Sequence, residues 1–269
     1  MFEKKIQQCK NYDPKKVQYP VYAQVKMDGI FARWCSRSKT FFTRSGNNIQ
    51  GLSVLEKELS FSHFPDFDGE LVIPNIEFFK MNGLIRSSNQ TPSCMFYVFD
   101  TPIEDATERR LSVYHSLLTE ANRKHVHPLK SHWCIDRHGV DDFYKKALDL
   151  GYEGIVIKSW GVVYYNSKKW FVQKRVPEKS AEAEIIGFVE GTKSFTGTLG
   201  AFEVKYQGVT IKVGGGPGVT HAFRSHVWTN QDKFLGQMMT VTYKSLTPSG
   251  SMRSPKFKSI RWDLGEQNG

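Results

Sequence analysis

With 269 residues, 39% of them hydrophobic and 13% aromatic, the chain has the apolar mass for one or two packed domains and too much for a disordered one. Its 37 basic against 27 acidic side chains leave +10 at neutral pH, which suits a polyanionic partner, although solubility alone accounts for such a charge. No run of about 18 apolar residues exists, and the opening MFEKKIQQCKNYDPKK has neither an apolar core nor a small-residue cleavage site, so the sequence predicts no membrane span, no secretory leader and a cytoplasmic location.

Cys9, Cys35, Cys94 and Cys134 are widely separated and form no C-x-x-C pair, so neither a zinc site nor a disulfide framework is expected. From residue 19 to 100 short β-rich runs alternate with glycine, proline and serine: VYAQVKM, IFARWCS, TFFTRSG, DGELVI and SCMFYVFD read as antiparallel strands. SVLEKELSF reads as a helix after a capping serine. EDATERRLSVYHSLLTEANRK carries Leu111, Val113, Leu117 and Leu118 at helical spacing. GVDDFYKKALDLG ends in Gly151, a helix stop, and YEGIVIKS returns to strand.

Pro177 and the charged stretch around it separate two strand-rich regions, which divides the chain into domains 1–177 and 178–269. The second region holds 11 basic and 8 acidic residues, so both domains are basic. AEIIGFVEG, GAFEVKYQ, GVTIKVGGG, GQMMTVTYKS and KFKSIRWD give five short strands, with a helix at THAFRSHVW. That pattern predicts a small, partly open barrel of the OB type, with a small sandwich as the alternative. The fold class is α+β.

VYAQVKMDGIFARW, residues 21–34, threads Lys26 between apolar neighbours and follows it with Asp28-Gly29. Alone, such a lysine is most simply a strand-edge residue whose ammonium reaches water along its stem. Glu70 and Glu153 also sit inside apolar strands, where a carboxylate is expensive unless it meets a cation or a donor. The clusters TRSG (43–46), DGEL (68–71), YVFD (97–100) and YEGIVIK (152–158), then WFVQK ending at Lys174, follow Lys26 in order.

In this order and spacing the clusters resemble the nucleotidyltransferase motifs of the ATP-dependent DNA ligases, nearest the minimal phage and viral enzymes. TPSGSMRSPKFKSIRWD, residues 247–263, resembles the C-terminal motif of the same family. The resemblance implies an adenylylation domain of antiparallel sheets followed by an OB-fold domain, acting as a monomer on nicked duplex DNA with ATP and Mg²⁺. It implies that Lys26 attacks the α-phosphate of ATP and carries AMP to the 5′-phosphate at the nick, the 3′-OH then displacing it. A lysine amine is mostly protonated at neutral pH, so nearby cations, Lys174 and a metal, are expected to favour its free form.

Gly29 is expected to allow a sharp turn beside the nucleotide, and Asp28 to hold that turn. By the same resemblance Glu153 holds the metal and Glu70 meets the ribose or the metal. Phe99 stacks on adenine, Gln24 and Val25 read its edge, and Lys158 and Lys174 clamp the triphosphate. Arg44 contacts the 5′-phosphate, while Arg253, Arg261 and Asp263 orient pyrophosphate through an OB domain that swings about a hinge near Pro177. Phe31 occupies a place where the family commonly carries arginine, and Arg33, on the same strand face, is expected to substitute. Val172 occupies the place of a family lysine, with Lys168 or Lys169 as substitutes.

An RNA ligase or an mRNA-capping guanylyltransferase of the same superfamily is the alternative, and a non-catalytic basic OB protein is a third reading. The barrel's first two strands are joined only by GTKSFTGTLG, 191–200, expected to be a mobile loop that offers Lys193 to phosphate.

Overall fold

A computed structural model describes residues 6–60, 63–76, 78–86, 94–121 and 123–262. The chain divides into two compact units, Met1–Val176 and Pro177–Gly269. The first unit holds two sheets. One has the order β1 (Gln8–Asn11), β11 (Lys168–Arg175), β10 (Gly154–Ser159), β2 (Val21–Lys26) and β9 (His132–Cys134). The other has the order β5 (Asn48–Ile49), β4 (Thr40–Phe42), β3 (Ile30–Cys35), β6 (Phe67–Val72), β7 (Met95–Asp100) and β8 (Val126–Pro128). Pairing is antiparallel except for β1 with β11 and β7 with β8, which are parallel. The sequence reading placed no strand at β1, β5, β8 or β9, because runs of two to four residues carry no period to detect.

Alternation along the strands sorts the first unit into layers. On β2, Val21 and Ala23 join Ile155 and Ile157 of β10 in a core against α4 (Arg137–Asp149), which contributes Val140 and Ala147. On β3 and β6, Ala32, Trp34, Phe67 and Leu71 join a larger core with α1 (Ser53–Ser60), α2 (Phe78–Arg86) and α3 (Thr107–Ala121). The intervening positions, Tyr22, Gln24 and Lys26 on β2 and Phe31, Arg33, Asp68 and Glu70 on the other sheet, fall on the opposite faces.

A buried ammonium joins the two sheets. Lys158 of β10 is 2% exposed, and its Nζ donates to the Phe99 carbonyl at 2.6 Å and to Asp100 Oδ2 at 3.0 Å, both on β7. Arg110 of α3 donates to the other Asp100 oxygen at 2.9 Å and to the Val162 carbonyl at 2.7 Å. Burial opposes both charges here. It holds the Lys158 pKa below the ordinary lysine value, whereas at Asp100 burial is outweighed by Lys158 and Arg110, which keep the carboxyl below its ordinary range.

The second unit is one five-stranded sheet in the order β14 (Val209–Val213), β13 (Leu199–Tyr206), β12 (Lys179–Glu190), β15 (Met238–Tyr243) and β16 (Lys256–Arg261). Its helix α5 (His221–Thr229) is capped by Thr220, whose hydroxyl accepts from the Phe223 N–H, and a short α6 (Gln231–Phe234) follows. The Phe257 N–H donates to the Gly215 carbonyl at 2.8 Å, drawing the chain beyond β14 toward β16 and curling the sheet toward a barrel. Gly216 is required there: a Cβ would lie 2.0 Å from the Phe257 carbonyl oxygen.

The 191–200 segment is not the open loop its glycines suggest. It winds into a 3-10 turn, Lys193–Phe195, with the Gly191 N–H on the Thr198 carbonyl at 2.8 Å and the Gly197 N–H on Glu190 Oε1 at 2.9 Å. Arg224 of α5 fixes it from the side, donating to the Leu199, Gly200 and Gly214 carbonyls at 2.7, 3.0 and 2.6 Å while its guanidinium lies 4.8 Å from the Phe195 ring centroid. Lys193 remains exposed on that ordered turn.

Removing one member of a buried ion pair strands the other. Asp100→Asn is therefore expected to lower the stability of the first unit by about 3–5 kcal/mol in urea unfolding. A loss below about 1 kcal/mol would mean that the pair does not hold the sheets together.

Candidate active site

Lys26 ends β2 on the same face as Gln24. Its Nζ donates to Glu153 Oε2 at 2.6 Å, with the Met27 carbonyl at 3.4 Å, and both side chains of the ion pair keep some exposure, 22% and 17%. The contact follows from register: Gly154 of β10 pairs with Lys26, and the Glu153 N–H reaches the Lys26 carbonyl at 3.2 Å. Burial alone pushes the Lys26 pKa down, but the Glu153 carboxylate, its hydrogen bond and the charge of Glu70 outweigh it and hold the amine above its ordinary value. The nearest charge to the amine is therefore the Glu153 carboxylate.

Glu70 lies on β6 opposite Phe31 of β3. Burial pushes its pKa up to about 7, against the pull of Lys26 and Arg44 and with the added push of Glu153 and Asp28. The turn that follows Lys26 presses directly on this residue. A Cβ on Gly29 would lie 2.4 Å from the Leu71 carbonyl oxygen and 2.6 Å from Glu70 Cγ, so glycine is needed for close approach. Lys26, Asp28, Glu70, Glu153 and Arg44 thus form one electrostatic cluster. Among the described residues no group of three or more His, Cys, Asp or Glu side chains is arranged to hold a metal ion.

Arg44, exposed in the turn after β4, places its guanidinium 4.9 Å from the Phe31 ring centroid, and the Phe31 ring lies 6.2 Å from that of Phe99. Phe31, where the sequence reading noted a missing arginine, instead carries the Arg44 guanidinium over its ring. Arg33 does not substitute. It is 4% exposed, donates to Asp68 at 2.6 and 2.8 Å and meets the Tyr164 hydroxyl at 2.7 Å. That hydroxyl donates onward to Asp68 at 2.6 Å, and a buried bidentate pair of this kind leaves Arg33 no freedom to reach a ribose or phosphate.

Lys158 turns its ammonium to Phe99 and Asp100, so in this structure it supports the Phe99 backbone. Val25 turns its side chain into the core against α4, leaving its backbone paired with Ile155. Lys174 stands on β11 next to Val156 of β10. Val172 is buried at 4%, and Lys168 and Lys169 are exposed at the far end of β11. In the second unit Arg261 donates to Glu182 at 3.1 Å, and Arg253 follows the Leu246–Met252 bridge; Asp263 lies outside the described residues.

Gln24 is 1% exposed. Its Nε2 donates to the Tyr114 hydroxyl at 2.6 Å and the Ser131 hydroxyl at 3.1 Å. The Tyr114 hydroxyl itself donates to the Leu129 carbonyl at 2.7 Å, so it must accept from Gln24, which fixes which way the amide points. Gln24 Oε1 is then a buried acceptor with no hydrogen-bond partner among the described residues. Such an atom is costly unless a donor arrives.

Asp68, Asp100, Tyr114 and Tyr164 were missed from sequence. The two aspartates stood inside the quoted DGEL and YVFD clusters, and the available signal was a carboxylate at the end of an apolar strand. Nothing local distinguishes the two tyrosines.

Residues 4–174 match the ATP dependent DNA ligase domain family, and residues 190–261 the DNA ligase OB-like domain. The chain belongs to the ATP-dependent DNA ligase family. The DNA ligase of Enterobacteria phage T3 is 26% identical over 133 residues, 47% of this chain and 38% of that protein, so the chain spans well under half the length of that ligase relative. A structure described as DNA binding with a minimal scaffold in Lig E DNA ligases superposes with a TM-score of 0.80 at 21% identity, covering 95% of this chain and 98% of that one. Chlorella virus DNA ligase-adenylate gives 0.57 at 23% identity over 96% and 98%, and the bacteriophage T7 ATP-dependent DNA ligase complexed with ATP gives 0.55 at 17% over 96% and 99%. These likenesses establish the ligase fold.

The electrostatic cluster has a direct signature. Carboxyl-labelled Glu70 should titrate by NMR with a midpoint near 7, uncharged below and charged above. Because the Lys26 ammonium is the strongest influence pulling that midpoint down, Lys26→Met should move it up. A midpoint that stays or falls would separate Glu70 from Lys26.

Proposed function

We propose that the chain is an ATP-dependent DNA ligase that seals 3′-OH/5′-phosphate nicks in duplex DNA by way of AMP carried on Lys26. The observation that carries this reading is the pairing, on one face of β2, of a lysine held by a carboxylate with a buried acceptor that has no donor among the described residues. Residues two apart on a strand are separated by roughly 6.6 Å. That span suits a nucleotide whose base reaches Gln24 while its α-phosphate reaches Lys26.

Gln24 Oε1 supports adenine in particular. The 6-amino group of adenine donates a hydrogen bond to it, whereas guanine presents a carbonyl oxygen at that position and would set acceptor against acceptor. Since Tyr114 fixes the amide, Gln24 cannot turn to accommodate guanine at no cost. Phe99, with Phe31 beside it, offers an aromatic surface for the base.

In the first step Lys26 Nζ forms a bond to the α-phosphorus of ATP, the α–β phosphoanhydride breaks, and pyrophosphate leaves with the electron pair. Before attack the ammonium must lose a proton, and Glu153 Oε2 at 2.6 Å is the hydrogen-bonded acceptor in reach. A divalent ion such as Mg²⁺, when bound, supplies positive charge against the phosphates; Glu70 and Glu153, with Asp28 nearby, suit an ion that takes its remaining ligands from phosphate and water. Lys174 is the second cation on this face, and Arg44, exposed and stacked on Phe31, is placed for a 5′-phosphate. Transfer of AMP to that phosphate and its displacement by the 3′-OH use the same positioned charges.

Lys26→Ala is expected to abolish the covalent AMP adduct seen by mass spectrometry while leaving the joining of a pre-adenylylated nick largely intact. Wild type should accept labelled ATP in preference to GTP. Glu153→Gln should slow adduct formation by about 10²- to 10⁴-fold and, by lowering the Lys26 pKa, move the rise of its rate with pH to lower pH. An adduct that persists in Lys26→Ala, or equal labelling by GTP, would defeat the proposal.

A further inference from the structure

Away from Lys26 the first unit carries a groove of about 550 Å³ walled by Lys10, Lys15, Lys16, Lys168 and Lys169. Trp170 and Phe171 stand in the same wall, 37% and 36% exposed, and the Lys10 ammonium lies 4.3 Å from the Trp170 ring centroid. Among the described residues no carboxylate lines it.

The groove is built by a break in pairing. Gln8 and Cys9 of β1 oppose Lys168 and Lys169 of β11, but the next residue, Lys10, opposes Gln173, so the intervening residues of β11 have no partner on β1. A bulge of this kind re-aims side chains, here Trp170 and Phe171, out of the sheet. Gln173, 2% exposed, then fixes the bulge to the lysine-bearing turn: its Oε1 accepts from the Asp13 N–H at 2.8 Å, and its Nε2 donates to the Lys16 carbonyl at 3.3 Å and the Trp170 carbonyl at 3.0 Å. Asp13 caps that turn, Pro14–Lys16, by accepting from the Lys15 N–H. One buried amide thus holds lysines and aromatic rings in a fixed relation.

Five lysines line the groove against the carboxylate of Asp13 beside their turn, and a polyanion relieves the excess positive charge. A duplex would satisfy the lysines but not the rings, because its base faces are already stacked. An unpaired nucleotide offers phosphate to the one and a base to the other. We infer that this groove binds single-stranded DNA, phosphates among the lysines and a base against Trp170 or Phe171, as a contact separate from the Lys26 cleft. The inference rests on the reading that the chain acts on DNA, and it adds an unpaired strand beside the join to the substrate.

The test measures fluorescence anisotropy of the full chain with labelled oligo-dT of about ten nucleotides and with a blunt duplex, across a salt series. Trp170→Ala should weaken oligo-dT binding about 10-fold, Trp170→Phe should restore most of it, and duplex binding by both should match wild type. The double variant Lys15→Ala/Lys16→Ala should flatten the oligo-dT salt slope by about 1.4. AMP-adduct formation with ATP should be unchanged in every variant. Equal losses for oligo-dT and duplex, or no loss with either, would overturn the inference. Absence of an AMP adduct in wild type would overturn the ligase reading instead, while the oligo-dT comparison would still decide the groove.

Discussion

The ammonium of Lys158, buried between two sheets, is the contact on which the first unit's geometry depends. β10 pairs with β2 over six residues, and the Lys158 ammonium then binds β7 through Asp100 and the Phe99 carbonyl. The strand that carries Lys158 near one end presents Glu153 to Lys26 just beyond the other. A shift of one sheet against the other would therefore cost a buried charge its partners, and that cost holds the catalytic lysine of the proposed reaction and the aromatic surface at Phe99 in one frame. The Arg33–Asp68–Tyr164 group does similar work, since Tyr164 also accepts from the Gln7 N–H at 3.0 Å and so ties the start of the chain to β3 and β6.

A consequence for the chemistry is that charge has two separate purposes in one interior. Arg33, Arg110 and Lys158 are closed into pairs and carbonyl contacts, with 4%, 1% and 2% exposure. Lys26 and Arg44 keep access to solvent and answer to carboxylates that are themselves unsettled, Glu70 having a pKa of about 7. Rigid charges position the strands, and responsive charges remain where a phosphate would approach.

Much of this was legible in the chain. The order of Lys26, Glu70, Phe99, Glu153 and Lys174 pointed to the family, and alternation in VYAQVK and DGELV placed Gln24, Lys26 and Glu70 on shared faces. Strand periodicity says which residues share a face; it does not say which of them meets a partner from another sheet. Arg33 and Lys158 occupy such faces, and their partners, Asp68 and Asp100, lie 35 and 58 residues away. Gln24 was legible as a motif position, but its unpaired oxygen emerges only from Tyr114, 90 residues on. In the second unit five strands and a helix were readable from turn residues, whereas the order in GTKSFTGTLG comes from Arg224, which local composition does not announce.

The bulge in β11 has a consequence for how this region can change. From Val172 onward β11 runs in register with β10, while Lys168 and Lys169 pair only with β1, and Trp170 and Phe171, next along, pair with neither strand. A residue gained or lost within Trp170–Phe171 is thus absorbed by the bulge without inverting the inward and outward alternation around Lys174. The rim of the sheet is free to vary in length and chemistry, and the strands beside Lys26 inherit none of that variation.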